Sequence, residues 1–158
     1  MGKDDDRDGL PSVSGLRKLL PDVLLGRQPN WRKRVQFVGM FLGYCMWQGE
    51  IADLPVLPSV WAYLLRKPLL WRDIMLDSPA TYGNYLQTLN APREEVEYYG
   101  VIMAVTDPAD PNGLIPLVPG GDIGEGIAVT GDNRNEYVKL ASEMEMRGLC
   151  SKGLAEMR

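Results

Sequence analysis

The stretch FVGMFLGYCMWQGEIADLPVLP, residues 37–58, is apolar over most of its first half and contains one cysteine and two glycines four residues apart. It is open to interpretation as a membrane segment, as the setting of a nucleophilic thiol, or as a core helix. The apolar run from Val35 to Trp47 is shorter than the ~20 residues that cross a bilayer, and glutamines and a glutamate interrupt or bound it. The stretch therefore predicts a helix in the core of a larger fold.

This predicted helix carries apolar side chains around most of its circumference. One face holds Val35, Val38, Leu42, Cys45 and Met46, and much of the remainder is covered by Phe37, Met40, Phe41 and Trp47. Such a distribution predicts a helix that is packed on several sides. Gly39 and Gly43 form a smooth strip where another backbone can approach, so a branched side chain at Gly43 is expected to disrupt packing. Gly49 is expected to end the helix.

Proline and capping signals predict short helices in most of the segments around this one. These helices are expected at residues 16–20, 58–66, 70–76 and 79–89, with Ser78 as the N-cap and Pro79 as the first residue of the last. The pattern then becomes strand-like at 101–106 and 114–118, separated by the turn sequence DPADPNG. Thr130 or Asp132 is expected to cap a helix that runs to about Arg147.

Composition limits the classes of function. The chain has 158 residues, of which 45% are hydrophobic and 24% are charged, as in one globular domain. Its net charge of -4 and the absence of a long basic run argue against nucleic acid as a partner. Residues 1–30 begin with a polar, acidic tail that lacks the apolar stretch of a signal peptide, and we expect this segment to be poorly ordered or irregular. A cytoplasmic or nuclear location follows, where Cys45 and Cys150 are expected to be buried, reduced thiols.

Motifs that could carry catalysis or metal binding are few. The sequence contains no histidine, which excludes Ser-His-Asp and Cys-His arrangements. Asp107, Asp110, Asn112 and Gly113 faintly resemble a calcium loop, but the oxygen ligands are not on alternate positions, so turn chemistry is the simpler interpretation. The glycine-rich PGGDIGEG has no following Lys-Ser/Thr and does not predict a phosphate site. No cofactor or metal is predicted.

Several ordered motifs resemble the N-terminal lobe of the HECT-type ubiquitin ligase domain. In the first half they are Phe37, Phe41, Gly43, Trp47, Gly49, Asp53 to Pro55, Lys67 to Pro68, Asp73, Tyr82 and Leu86. In the second half they are Leu117, Pro119, Gly121, Ile127, Val129, Thr130, Asn133, Glu136 and Tyr137. The resemblance covers roughly residues 31–158 and is more specific than any single motif.

This resemblance implies an α+β fold, a mostly helical lobe with a small antiparallel sheet, and assigns residues 31–158 to a partial HECT domain, the large sub-domain of its N-terminal lobe. In this family a conjugating enzyme docks on the N-terminal lobe and passes ubiquitin to a cysteine of a separate C-terminal lobe. Both the docking sub-domain and that lobe are expected to lie beyond Arg158, so no catalytic residue transfers to this chain. Neither Cys45 nor Cys150 matches the active-site sequence.

Two function classes remain open at this point. The first is the scaffold of a ligase lobe, inactive alone, with ubiquitin and a conjugating enzyme as partners in the full-length protein and the small sheet, residues 101–129, as a surface that could contact ubiquitin. The second is a non-catalytic binding or structural module derived from a degenerate HECT lobe. A C-terminal lobe encoded beyond Arg158 would favour the first. Because the resemblance implies truncation there, we expect Cys150, Leu154 and Met157 to form an exposed apolar edge that self-associates or frays.

Overall fold

The computed structural model describes residues 22–50, 57–119 and 126–158. The predicted helix at 16–20, the Asp53 to Pro55 motif, Gly121 and most of the glycine-rich stretch lie outside these ranges. Seven α-helices occur within the described residues: α1 (Asp22–Leu25), α2 (Trp31–Gln48), α3 (Pro58–Leu64), α4 (Ile74–Asp77), α5 (Pro79–Asn90), α6 (Arg134–Met146) and α7 (Ser151–Glu156). Strands β1 (Ala104–Asp107) and β2 (Asp110–Pro116) pair in antiparallel fashion. The predicted α+β class is confirmed.

Short 3-10 turns connect several of these helices, at Trp71–Asp73, Val96–Tyr99 and Gly148–Cys150. The predicted helix at 70–76 is therefore two pieces, a 3-10 turn followed by α4. Ser78 caps α5 as predicted, because its side chain accepts a hydrogen bond from the backbone N–H of Thr81. Among the described residues, no helix is long and apolar enough to cross a membrane.

The long helix α2 ends where its sequence predicts. Gly49 adopts a left-handed conformation with φ of 72°, and the N–H of Glu50 donates to the carbonyl oxygen of Cys45 over 2.9 Å. This pair of features is a Schellman motif, in which glycine is favoured because a Cβ atom is disfavoured at positive φ. The predicted stop is confirmed.

The prediction that α2 packs on several sides is wrong within the described part of the chain. Val35, Leu42 and Cys45 are buried, and they lie on the face turned toward α1, α3 and α7. The opposite side is solvent-exposed, and even Met46, assigned to the packed face, is 66% exposed. Apolar character around the helix did not reveal which sides have neighbours, because that depends on where the later helices return.

The glycine strip of α2 is close-packed at one position only. A Cβ atom built on Gly39 would lie 2.0 Å from the carbonyl oxygen of Met157, just after α7. A Cβ atom on Gly43 would meet no atom of the described residues within 4 Å. The close packing expected at Gly43 is therefore wrong within the described residues, and the close backbone approach occurs one turn earlier.

The C-terminal segment is part of the core. Cys150, Leu154 and Met157 are 1%, 0% and 6% exposed, and the first two pack with Val60 of α3. The expected exposed apolar edge is wrong, because α1, α2 and α3 cover it.

The side chain of Asp22 joins the two ends of the described chain. Its Oδ2 accepts hydrogen bonds from the Ser151 hydroxyl over 3.1 Å and from the N–H of Lys152 over 2.8 Å, and its Oδ1 accepts from the N–H of Gly153 over 2.9 Å. The first N–H groups of a helix lack partners within it, so this carboxylate caps α7 from a distant part of the sequence. The cap holds α7 against α1.

The hairpin begins and ends at other residues than predicted. β1 starts at Ala104, and β2 starts at Asp110, inside the predicted turn. Asp107 Oδ1 accepts from the N–H of Ala109 over 2.8 Å, and Asp110 Oδ1 accepts from the N–H of Asn112 over 3.0 Å. These aspartates make local Asx turns, as the turn interpretation predicts. The described residues contain no group of three or more acidic residues and cysteines placed to hold a metal ion.

Neither residue proposed as the cap of α6 occupies its N-cap position, which is Asn133, and the Asn133 side chain makes no capping hydrogen bond to the helix. The helix begins at Arg134, and Asn133 precedes it. Asn133 Oδ1 accepts from the N–H of Thr130 over 2.7 Å, while its amide donates to the carbonyl oxygen of Ala128 over 2.9 Å. Thr130 Oγ1 accepts from the N–H of Asp132 over 3.3 Å, so it stabilises the turn before the helix instead of capping it.

Candidate functional site

The two thiols are the first candidates for a reacting group, and both lie in the core. Cys45 is 8% exposed on the packed face of α2. Cys150 is 1% exposed, and its Sγ donates to the carbonyl oxygen of Met146 over 3.9 Å. Neither forms a disulfide, and the prediction of two buried thiols is confirmed. A thiol that attacks a thioester must reach solvent, which neither position permits.

A continuous row of exposed apolar side chains lies along the outer side of α2. We define the α2 stripe as Phe37, Met40, Phe41, Tyr44 and Trp47, whose spacing places them on one helix face. Their exposed fractions run from 43% for Phe41 to 80% for Trp47. The sequence assigned most of these residues to the core, so the stripe was missed as a surface. The sequence did contain a signal for it, because α2 has more apolar residues than one packed face can hold.

Within the α2 stripe, aromatic side chains contact each other. The rings of Phe37 and Phe41 stack with centroids 6.4 Å apart, and those of Tyr44 and Trp47 lie 6.2 Å apart. These pairs follow the i,i+4 and i,i+3 geometry of a helix. Isolated apolar residues are normal on a surface, but a contiguous aromatic patch marks a place where another surface binds.

The small sheet presents a second surface. Val105 of β1 points inward and joins the same core cluster as Val138 and Ala141 of α6. On the outside, Thr106 is exposed and Ile127 is 46% exposed. The segment around Ile127 adds to the hairpin through a single bridge between Ile102 and Ala128. The sheet predicted from residues 101–129 is therefore present within the described residues, with one packed face and one solvent-facing side.

A polar cleft of about 390 Å³ lies between α5 and α6. The hydroxyl of Tyr85 donates to Glu145 Oε1 over 3.1 Å, and the ring of Tyr137 meets that of Tyr85 edge-on at 6.0 Å. Burial raises the pKa of the Tyr85 phenol, and the negative charge of Glu145 raises it further. Burial followed by Glu145 likewise raises the pKa of Tyr137. Both phenols are therefore neutral at physiological pH, and their contacts in the cleft join α5 to α6.

This tyrosine pair gives stability a dependence on alkaline pH. The unfolded chain loses its phenolic protons near pH 10, while the folded chain keeps them to higher pH. Stability from Tyr85 is therefore fully present below about pH 10 and falls progressively as the pH rises above it. We expect Tyr85→Phe to lower stability at pH 7 by about 1 kcal/mol and to flatten this alkaline decline. Urea unfolding between pH 8 and 11 measures it, and parallel declines for both proteins would contradict the assignment.

A family model described as HECT-domain (ubiquitin-transferase) matches residues 10–158. The chain belongs to the HECT-domain family. It is also similar to E3 ubiquitin-protein ligase HACE1 from Danio rerio, with 25% identity over 118 residues, which is 75% of this chain and 13% of that relative. HACE1 from Xenopus tropicalis matches with the same identity and coverage. The chain therefore matches only about an eighth of the length of these curated relatives.

Several of the motif residues behind the resemblance have structural roles in this HECT-domain chain. Thr130 and Asn133 build the turn into α6, and Tyr137 packs its ring against Tyr85. Phe37 and Trp47, by contrast, belong to the exposed α2 stripe. Some of the motif residues therefore stabilise the fold of this segment, whereas others face outward.

Proposed function

We propose that this chain is the large sub-domain of the N-terminal lobe of a HECT-type ubiquitin ligase, and that it acts as scaffold rather than as the reacting part. Ubiquitin passes from a conjugating enzyme to a cysteine on another lobe of the longer protein, and then to a substrate lysine. The family membership and the much greater length of the HACE1 relatives support this proposal.

The observation that carries the proposal is the two-sided character of α2. One side, with Val35 and Leu42, packs against helices within the chain, while the α2 stripe has no cover among the described residues. A helix with apolar residues all round is typical of the interior of a larger domain. The α2 stripe is the surface on which further parts of the ligase would pack.

The buried thiols define what this chain contributes to the reaction. A ligase of this class must hold ubiquitin as a thioester on an accessible cysteine, whereas Cys45 and Cys150 are both buried, Cys150 against Val60 and Leu154. The chain would therefore position a reacting lobe without carrying ubiquitin itself. Its small sheet offers a solvent-facing side that a ubiquitin molecule could contact.

A thioester assay tests the scaffold role. The chain is mixed with activating enzyme, charged conjugating enzyme and ubiquitin, with complete HACE1 as the positive control. We expect no thiol-sensitive ubiquitin adduct on this chain, because both thiols are buried. A reducible adduct that disappears in Cys150→Ser or Cys45→Ala would contradict the proposal.

Sequencing the transcript past the codon for Arg158 distinguishes the scaffold from a non-catalytic module. We expect an open frame that encodes a further lobe with a cysteine able to take ubiquitin. A stop codon at that point, together with a negative thioester assay, would favour the alternative of a binding module derived from a degenerate HECT lobe.

A further inference from the structure

Two cavities lie side by side next to the end of α3. One has a volume of about 370 Å³ and the other about 450 Å³, and both are lined by Lys67, Pro68 and Leu69. This short segment is therefore the wall between them. Three extended residues span roughly 10 Å, which is the length of wall that a peptide bound in both cavities would have to cross.

The smaller cavity is strongly basic. Besides Lys67 it is lined by Arg66, Arg147 and Arg158, and none of its lining side chains is an aspartate or a glutamate. Arg147 pairs with Glu143, while Arg66, Lys67 and Arg158 form no ion pair within the described residues. The guanidinium of Arg158 is placed 5.5 Å above the ring of Tyr63, another lining residue. A chain of net charge -4 thus concentrates positive charge at one concave place, where it attracts a negatively charged group.

Arg66 occupies a backbone conformation that favours glycine. Its φ is 56°, and its N–H donates to the carbonyl oxygen of Tyr63 while the N–H of Lys67 donates to that of Ala62. This is the same Schellman motif that ends α2, where the left-handed residue is Gly49. An arginine at this position is strained, and this residue lines the basic cavity.

The larger cavity is mostly apolar. Its walls include Pro58, Trp61, Leu65 and Leu76, and the last two are 49% and 51% exposed. Asp73 adds one carboxylate to the lining, and its Oδ2 accepts a hydrogen bond from the N–H of Leu70. Such an opening accepts one bulky apolar side chain. The Lys67–Leu69 wall joins this apolar cavity to the positive charge beside it.

We propose that the two cavities together bind a short peptide segment of a partner protein, in which a bulky apolar side chain is flanked by aspartates or glutamates. The apolar side chain enters the larger cavity, and the carboxylates pair with Arg66, Lys67 and Arg158 in the smaller one. Arginine suits this role because its planar group pairs with carboxylates through two hydrogen bonds. This docking site is separate from the α2 stripe and does not depend on ubiquitin transfer.

The test uses a fluorescent eight-residue peptide with one tryptophan flanked by four aspartates. We expect binding to the 158-residue chain that weakens as salt rises, since exposed charges are screened. Two control peptides, one with asparagines for the aspartates and one with alanine for the tryptophan, are each expected to bind at least about tenfold more weakly. Equal binding of either control would overturn the proposal.

Matched variants locate the site on the protein. Arg158→Gln is expected to weaken binding of the aspartate peptide at least about fivefold. Arg72→Gln is the matched control, because the Arg72 guanidinium also lies over a neighbouring aromatic ring, at 5.4 Å, and its loss is expected to leave the affinity unchanged. Arg66→Gly removes the backbone strain, so it is expected to keep or raise the melting temperature. It is nevertheless expected to weaken binding of the aspartate peptide. Leu76→Ser is expected to weaken binding of the aspartate peptide, but not binding of the control peptide that has alanine in place of tryptophan.

Three outcomes would overturn this assignment. Equal losses in Arg158→Gln and Arg72→Gln would show a non-specific charge effect. Complete displacement of the aspartate peptide by inorganic phosphate, added at the same total negative charge as the peptide, would show a simple anion site. Stronger peptide binding after Asp4, Asp5, Asp6 and Asp8 are changed to Asn would show that the chain's own acidic segment, rather than a partner, occupies the basic cavity.

Discussion

Gly39→Ala is expected to destabilise the protein by about 3 kcal/mol, whereas Gly43→Ala in the same helix is expected to stabilise it by up to about 1 kcal/mol. Both changes gain the same helix propensity, because alanine is favoured over glycine in a helix interior. Their surroundings differ. The new methyl group at residue 39 would lie 2.0 Å from the carbonyl oxygen of Met157, while at residue 43 it would meet no atom of the described part of the chain within 4 Å.

The clash at Gly39 cannot be relieved by a side-chain rotation, because the obstructing atoms belong to the backbone. The segment that follows α7 has to move away from α2, which also disturbs the buried Met157. Urea unfolding of the two alanine variants beside the parent measures the difference. Equal stability of the two variants would show that α2 and the Met157 backbone are not in close contact.

Leu154→Ala is expected to destabilise the protein by about 2–5 kcal/mol. Leu154 is 0% exposed and packs with Val60 and Cys150, so the shortened side chain leaves a cavity among atoms held by α3 and α7. Leu65→Ala is the matched control, because Leu65 is 49% exposed and its truncation is expected to cost less than about 1 kcal/mol.

Hydrogen exchange gives an independent measurement of the same feature. Amides of α7 are expected to be protected in the parent, since Asp22 caps this helix and three helices cover its apolar side. In Leu154→Ala the protection of α7 should fall before that of α5. If Leu154→Ala and Leu65→Ala have the same small effect, α7 contributes little to the core and its burial does not stabilise the fold.

Local sequence signals determined the elements of this fold whose cause is local. Ser78 followed by Pro79 predicted the start of α5, and Gly49 predicted the end of α2, because caps act on the backbone within a few residues. The exposed side of α2 was misassigned, since periodicity shows which residues are apolar but not which of them meet a neighbour. The family resemblance also came from sequence, through ordered motifs that no single element explains.

Tertiary structure alone decided features that join distant parts of the chain. The backbone at Met157 returns against Gly39 and not against Gly43, so only Gly39 is close-packed. The sequence around the two glycines does not distinguish them. The cap of α7 comes from Asp22, more than a hundred residues away, and helix capping rules that consider neighbouring residues cannot find it. The two cavities beside Lys67 likewise combine the end of α3 with Arg147 and Arg158. The physical reason is the same in each case: hydrogen bonds and packing act over a few ångströms in space, and only the folded chain sets those distances.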